Sequence, residues 1–267
     1  MTPSSDHRDA DVVASQRSLR VTWADTDQEI AEAQRLRYQI FVEEMGASLR
    51  VPAQAPAAHD VDSFDEYCMH LMVRAGGTPR HGELIATCRV MSPAAARRAG
   101  GLYAESEFDL KALRGLRPHM LELGRVCVHP SWRKGPVQMR IWRAVIEWMQ
   151  QLRLDSVIGC CSVSLSDGGK PAVRLWSRLK MAHLVEPDLQ VRPWSRLRLR
   201  ALNRDVKGSQ ASDAAVPPLM QGYLRCGAKL LGPPAVDRAF KSVHFPILLR
   251  LKDVPSRYGS SLLGTVA

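Results

Sequence analysis

The sequence predicts an α/β (α+β) protein with a mixed central sheet flanked by helices. Two observations lead there. Apolar residues recur at three- and four-residue spacing in several segments, as amphipathic helices require. Between those segments lie short apolar runs bounded by turn residues, which read as strands, mostly in antiparallel neighbours. The length of 267 residues allows a substantial core without disulfide or metal staples. No internal repeat divides the chain, so residues 1–18 are expected as a loose tail and 19–267 as a single domain.

Each element follows from local signals. Leu19 to Trp23 reads as a first strand. Asp25 or Thr26 can cap a helix running to about Met45, with Asp27 and Glu29 in its first turn. Its apolar face includes Ile30, Ala33, Ile40 and Phe41. Gly46 to Ala58, rich in Ala, Pro and Gln, is expected as loop. Tyr67–Ala75 and Glu83–Met91 read as a hairpin through Gly76-Gly77-Thr78-Pro79. Pro93 to Ala99 is a short helix stopped by Gly100-Gly101. Met120 to His129 is a strand, and Pro136 opens a helix to about Arg153 on Val137, Ile141, Val145 and Trp148. Ser156 to Val163 is a compact strand followed by a turn at 166–169, and Val173–Met181 is helical in pattern. Residues 183–207 are basic and irregular, and 208–216 read as a flexible loop. Leu219–Leu231 and Phe245–Leu251 are apolar enough to return to the core.

Composition narrows the function. Lys and Arg number 37 against 27 acidic residues, a net charge of +10, which favours a polyanionic partner: nucleic acid, acidic protein or anionic lipid. No nucleic-acid reading module is recognisable, so nucleic acid is not expected. The six cysteines form no CxxC, and Cys160 and Cys161 are adjacent, which suits neither a zinc knuckle nor a disulfide framework. No signal peptide and no run of about 20 apolar residues appears, so a cytoplasmic protein is expected. The eight histidines make no metal spacing; phosphate-loop, GxGxxG and GxSxG motifs are absent. No metal is expected.

The informative stretch is Leu121-Glu122-Leu123-Gly124-Arg125-Val126-Cys127-Val128, then Arg133-Lys134-Gly135-Pro136 and a helix. A strand carboxylate followed by a basic, Gly-containing loop at a helix start suits an acyl-thioester, since helix-start amides hold a phosphate or a pantetheine arm. Glu122 can take the proton that makes an attacking amine nucleophilic. Residues three apart on a regular strand face opposite ways, so joining Glu122 and Arg125 needs a β-bulge, and Gly124 is where one fits. Without it, the stretch is an ordinary strand with a charge at each edge. Asp62 and Asp65 precede a strand and either cap it or meet a cationic substrate group. Arg89 sits inside an apolar strand and needs an anionic partner, so an ion-pair core of Arg89 with Asp62, Asp65 or Glu122 is an equal alternative to a catalytic site. Cys127 lacks a recognisable base and reads as core, as do Trp142 and Trp148. Arg196, Arg198 and Arg200 would share one face of a strand, either solvated or docking an acidic partner.

Arg37 with Phe41, Asp62 with Asp65, Arg89, and Glu122 with Arg125 resemble, in order and spacing, the signature of acyl-homoserine-lactone (autoinducer) synthases, variants of the GNAT acyltransferase fold. The fuller match is to their relatives, the ornithine-lipid-type N-acyltransferases, through residues 36–44, Asp62 to Cys68, Glu122 to Val128 and Pro217 to Ala228. The usual GNAT loop is altered: Trp132 precedes it and Val137 replaces its second small residue. That favours a pantetheine arm delivered on a carrier protein over coenzyme A. Departures at Ser162–Gly168 and at His244, where Asp is common, leave the acceptor open. The resemblance implies transfer of a long-chain acyl group, with or without a 3-hydroxyl, from acyl carrier protein to the α-amine of ornithine, giving lyso-ornithine lipid. It implies Glu122 as base with Arg125 beside it, and amides near Gly124 for the oxyanion. Arg37, Phe41, Asp62, Asp65 and Arg89 would bind substrate; Arg133, Lys134 and Gly135 would receive the pantetheine phosphate. No cofactor beyond the carrier's phosphopantetheine is implied, and the basic charge fits an acidic carrier protein or a peripheral contact with anionic membrane. The alternatives are another N-acyl amino acid synthase, a homoserine-lactone synthase, or a non-catalytic basic binder.

Overall fold

The computed structural model describes residues 19–49, 52–77, 82–165, 169–198 and 215–256. The tail expected at 1–18 and the loop at 208–216 lie outside these residues, except for 215 and 216; so does most of the turn at 166–169. In chain order the elements are β1 (Arg20–Trp23), α1 (Asp27–Tyr38), β2 (Met69–Ala75), β3 (Glu83–Met91), α2 (Pro93–Arg98), β4 (Phe108–Asp109), β5 (Met120–Val128), α3 (Val137–Gln151), β6 (Ser156–Ser164), α4 (Lys170–His183), β7 (Arg192–Pro193), α5 (Pro218–Arg225), β8 (Lys229–Leu230), β9 (Ala235–Asp237) and β10 (Ser242–Arg250). Thr26 caps α1 as expected, its hydroxyl accepting from the Glu29 amide at 3.2 Å. The chain stays helical to Glu44 because a π-helical turn, Gln39–Glu44, continues α1. Ser92 caps α2 in the same way, with Pro93 in its first turn.

The strands form one sheet in the order β1-β2-β3-β5-β6-β10-β8, with β9 also paired to β10; β4 and β7 make a separate ribbon. The sheet is mixed, as the sequence implied: all its pairs are antiparallel except β5 and β6. That parallel pairing is short, joining Met120–Leu123 to Ser156–Gly159, and beyond Leu123 the two strands part. At the fork the backbones approach so closely that a Cβ on Gly159 would lie 2.8 Å from the Leu123 carbonyl oxygen. Glycine there is a requirement of the fork.

Strand alternation sends residues to two faces. Leu71, Val73, Leu121, Leu123, Phe245 and Ile247 form one apolar face under α3, α4 and α5. The other face carries Met72 and Leu84 beneath α1, and Met91, Met120, Ile158 and Leu248 beneath α2 and the loops near β4. Each such side chain, fully buried, contributes about 2 kcal/mol of hydrophobic stabilisation. The stretch with Arg196, Arg198 and Arg200 departs from expectation. Ser195–Leu197 is a 3-10 turn and Arg198 makes only an isolated bridge to Ala235, so no strand face collects these arginines. Arg200 lies outside the described residues.

Candidate acyl-transfer site

The bulge anticipated at Gly124 is present one residue later. The β3–β5 register steps from Thr87 opposite Cys127 to Arg89 opposite Gly124, so Arg125 and Val126 together oppose Cys88. Arg125, not the glycine, takes the left-handed conformation, at φ 50°. For a non-glycine residue that costs about 1–3 kcal/mol, which its partners must offset. Those partners are carboxylates: Arg125 Nε lies 3.0 Å from Asp60 Oδ2 and its Nη2 lies 2.8 Å from Asp62 Oδ2. The guanidinium is also stacked between Tyr103 and Phe240, at 5.0 and 4.7 Å from their ring centroids.

The same aspartates bind two more arginines. Arg37, on α1, donates from Nε to Asp60 Oδ2 at 2.9 Å and from Nη1 to Asp65 Oδ1 at 2.8 Å, and also meets the Asp60 carbonyl. Arg89 Nη1 reaches Asp62 Oδ1 at 2.5 Å and Asp65 Oδ1 at 3.0 Å. Three arginines and three aspartates thus close a neutral, largely buried lattice that ties the 60–65 loop to α1, β3 and β5. Burial alone would raise the Asp65 carboxyl. The Arg37 hydrogen bonds and the charges of Arg37 and Arg89 outweigh it and hold it well below the usual carboxylate range. Asp65 has no free side; Asp62 keeps 20% of its side chain exposed. Asp60 escaped the sequence reading, since a lone acid in a loop carries no period.

Glu122 stands apart from this lattice. It is 6% exposed, and its two carboxylate oxygens accept the amides of Tyr103 and Ala104, each at 2.7 Å. Burial pushes its carboxyl up to about 7, although both amides and Arg89 pull it down, while Glu107 pushes it up further. A buried carboxyl poised near neutrality is matched to general-base work. Tyr103 and Ala104 begin a single 3-10 turn, too short to leave a periodic trace in sequence.

Glu122, Gly124 and Arg125 share the wall of a cavity of about 440 Å³ that occupies the gap where β5 leaves β6. Its polar end, on the Glu122 face, also has Arg89, Tyr103 and His244. Its apolar end passes to the opposite face, among Leu123, Val137, Trp142, Leu219, Tyr223 and Ile247. Trp142 therefore lines the cavity as well as packing edge-on to Tyr223 at 5.1 Å, which corrects its expected role as core alone. Trp148 is half-buried at the edge of the core, against Trp23 at 5.4 Å. Phe41 lines the rim and meets Phe240 edge-on at 5.5 Å. Cys127 also touches the cavity, but burial pushes its thiol up to about 12, which leaves it protonated and a poor nucleophile.

At the mouth, Arg133 is committed to Glu44, with both Nη atoms 2.6 Å from its carboxylate oxygens. Lys134 is exposed, and Gly135 has φ 152°. Among the described residues no side chain caps the first turn of α3, so the amides there are open to an anion. On the far wall His244 Nδ1 lies 2.7 Å from Glu107 Oε1, its Nε2 lies 2.9 Å from Ser242 Oγ, and Asp237 Oδ2 is 3.9 Å from Nδ1. Burial would lower the imidazole's pKa, but Glu107 and Asp237 outweigh it and raise it above the ordinary value. Glu107, Asp237 and His244 are also a donor set of the kind that could hold a metal, with ligand-type atoms within 4.8 Å of one another. Glu107 and Asp237 come from short elements and were not foreseen.

A family model described as an acetyltransferase (GNAT) domain matches residues 36–143. A protein named "L-ornithine N(alpha)-acyltransferase" from Brucella abortus (strain 2308) is 30% identical over 258 residues, covering 94% of this chain and 90% of its own length. One of the same name from Rhizobium meliloti (strain 1021) is 30% identical over 259 residues, covering 93% and 86%. Among solved structures, the AHL synthase LasI superposes with a TM-score of 0.51 at 13% identity, over 93% of this chain and 96% of that one. The CoA-dependent acyl-homoserine lactone synthase BjaI gives 0.51 at 15%, over 92% and 88%. At such identities these two structures speak to fold alone.

Proposed function

This chain belongs to the family of L-ornithine N(alpha)-acyltransferases within the GNAT fold, and from that premise we infer how its fork performs acyl transfer to the α-amine of ornithine. The acyl chain enters the apolar end of the cavity, with its thioester carbonyl at the fork and its pantetheine arm leaving past Gly135 and Lys134. The donor is acyl carrier protein. Arg133, already paired with Glu44, shapes that mouth and contributes little free charge. The observation that carries this reading is Glu122 at the junction of a polar and an apolar chamber.

The acceptor amine arrives as an ammonium ion and must lose a proton before it attacks. Glu122 takes it, directly or through water. The carbon–nitrogen bond forms, and the oxyanion is met by the β5 backbone beyond Leu123, where pairing with β6 has ended. The carbon–sulfur bond then breaks, and the carrier's thiolate takes a proton as it leaves. Asp62, the most open of the three aspartates, meets the acceptor's second amine; Asp60 and Asp65 hold Arg37, Arg89 and Arg125 in place. The product is a fatty amide of ornithine, a lyso-ornithine lipid. Lipid extracts of a host without amino-acid lipids, expressing the chain, are expected to contain that amide, and Glu122→Gln should remove it. An amide pool equal in the two strains would exclude Glu122 as the base.

A further inference from the structure

The helix layer over the apolar end of the cavity carries its charge unevenly. Because α3, α4 and α5 all pack their buried sides on one sheet face, their solvent sides point the same way. That outer side presents Arg140, Lys170, Arg178, Lys180 and Arg225, all exposed. None of the five has an acidic partner among the described residues. Neither α4 nor α5 contains an acidic residue, and Glu147 on α3 is taken by Arg143 at 2.8 Å. Elsewhere some exposed cations meet carboxylates, as Arg133 meets Glu44 and Lys111 meets Asp109, and acidic residues stand among the rest. Beside Lys180 stands Met181, 82% exposed, well above the next large hydrophobic side chain among the described residues, Leu152 at 46%.

We propose that this outer face of α3, α4 and α5 docks on an anionic lipid bilayer. Unpaired cations spread over three helices on one side of the sheet complement a plane of negative headgroups, and an apolar side chain among them can enter the acyl boundary. The opposite side of α4 is fixed to the core by Ala172, Leu175, Trp176 and Leu179, so the contact is peripheral. Among the described residues no helix is long and apolar enough to cross a membrane. The inference rests on the proposed reaction for its purpose. A long-chain amide made in the tunnel beneath this layer is insoluble in water and must pass into lipid.

The test is sedimentation of the full-length protein with phosphatidylglycerol vesicles and with phosphatidylcholine vesicles. Binding is expected only to the anionic vesicles and should weaken steeply with salt. The double variant Arg178→Glu and Lys180→Glu should lower that binding at least about tenfold, given roughly fivefold per charge at a membrane surface. Arg97→Glu with Arg98→Glu changes the net charge equally on α2, across the sheet, and should leave binding within about twofold of wild type. All these residues are exposed, so folding is not at stake. Equal binding by the two double variants, or none by wild type, would overturn the proposal. So would an α4 variant that keeps vesicle binding while its KM for the acyl donor rises, which would make the face a dock for an acidic protein. Vesicle binding needs no substrate, so it stands or falls separately from the reaction.

Discussion

Glu122 has the clearest consequences at the scale of single residues. Its carboxyl is raised to about 7 mainly by burial, so the base form is present above that pH and lost below it. The value of kcat/KM should therefore rise with pH through a limb near 7 and then level. Glu122→Gln should abolish that limb and lower turnover by about 100-fold or more. A limb that persists unchanged in Glu122→Gln would assign the titration to another group, His244 first among them. The linkage to stability runs opposite to activity: a carboxyl whose folded pKa exceeds its unfolded value favours the folded state at low pH, and that contribution fades as pH rises from 4.5 through about 7. Asp65, held low by its arginines, runs the other way, and its contribution fades as acid is added.

At the scale of elements, the bulge, the fork and the arginine lattice depend on each other. Asp65→Asn would leave Arg37 and Arg89 without a shared counter-charge inside the protein, and breaking such a pair costs about 3–5 kcal/mol. Urea unfolding should show that loss, whereas Asp62→Asn, at the open side, should cost clearly less. The apolar end makes a separate prediction. Trp142→Ala removes a wall shared with Tyr223. It should shift donor preference to longer acyl chains, read from the amide products of a mixed donor pool, beyond its stability cost of about 3–5 kcal/mol. The sequence was most legible where periodicity or caps act: α1 with Thr26, the β2–β3 hairpin, α3 and β5 all lie within a few residues of their expected bounds. Gly124 correctly marked the need for a bulge, yet the left-handed residue is Arg125, because two aspartates distant in sequence fix its side chain. Such a choice is made by tertiary contacts and leaves no local sign.

On the scale of the whole molecule, one sheet separates two chemistries and one gap joins them. Charged side chains gather on the face beneath α1 and α2, and apolar ones on the face beneath α3 to α5. The early departure of β5 from β6 connects the two, so that in the proposed reaction a long acyl chain and a charged amine meet at Glu122 without sharing a chamber. Arg37, Asp62, Asp65, Arg89, Glu122 and Arg125, which the fold gathers around the fork, were singled out in sequence through the resemblance of their order and spacing to a family signature. Asp60, Tyr103, Glu107 and Asp237 were not, since each enters through a loop or a short element whose position only the folded chain defines. The net charge of +10 was legible from composition. Which cations share the outer side of α3 to α5 was not, because it depends on which helix sides the sheet buries.

The most direct measurement is tandem mass spectrometry of the product formed by purified protein from ornithine and an acyl-loaded carrier protein, with acyl-coenzyme A offered in parallel. A single fatty amide on the α-nitrogen is expected, formed from the carrier-bound donor and lost in Glu122→Gln. An amide on the side-chain nitrogen, or equal turnover with free coenzyme A thioester, would contradict it.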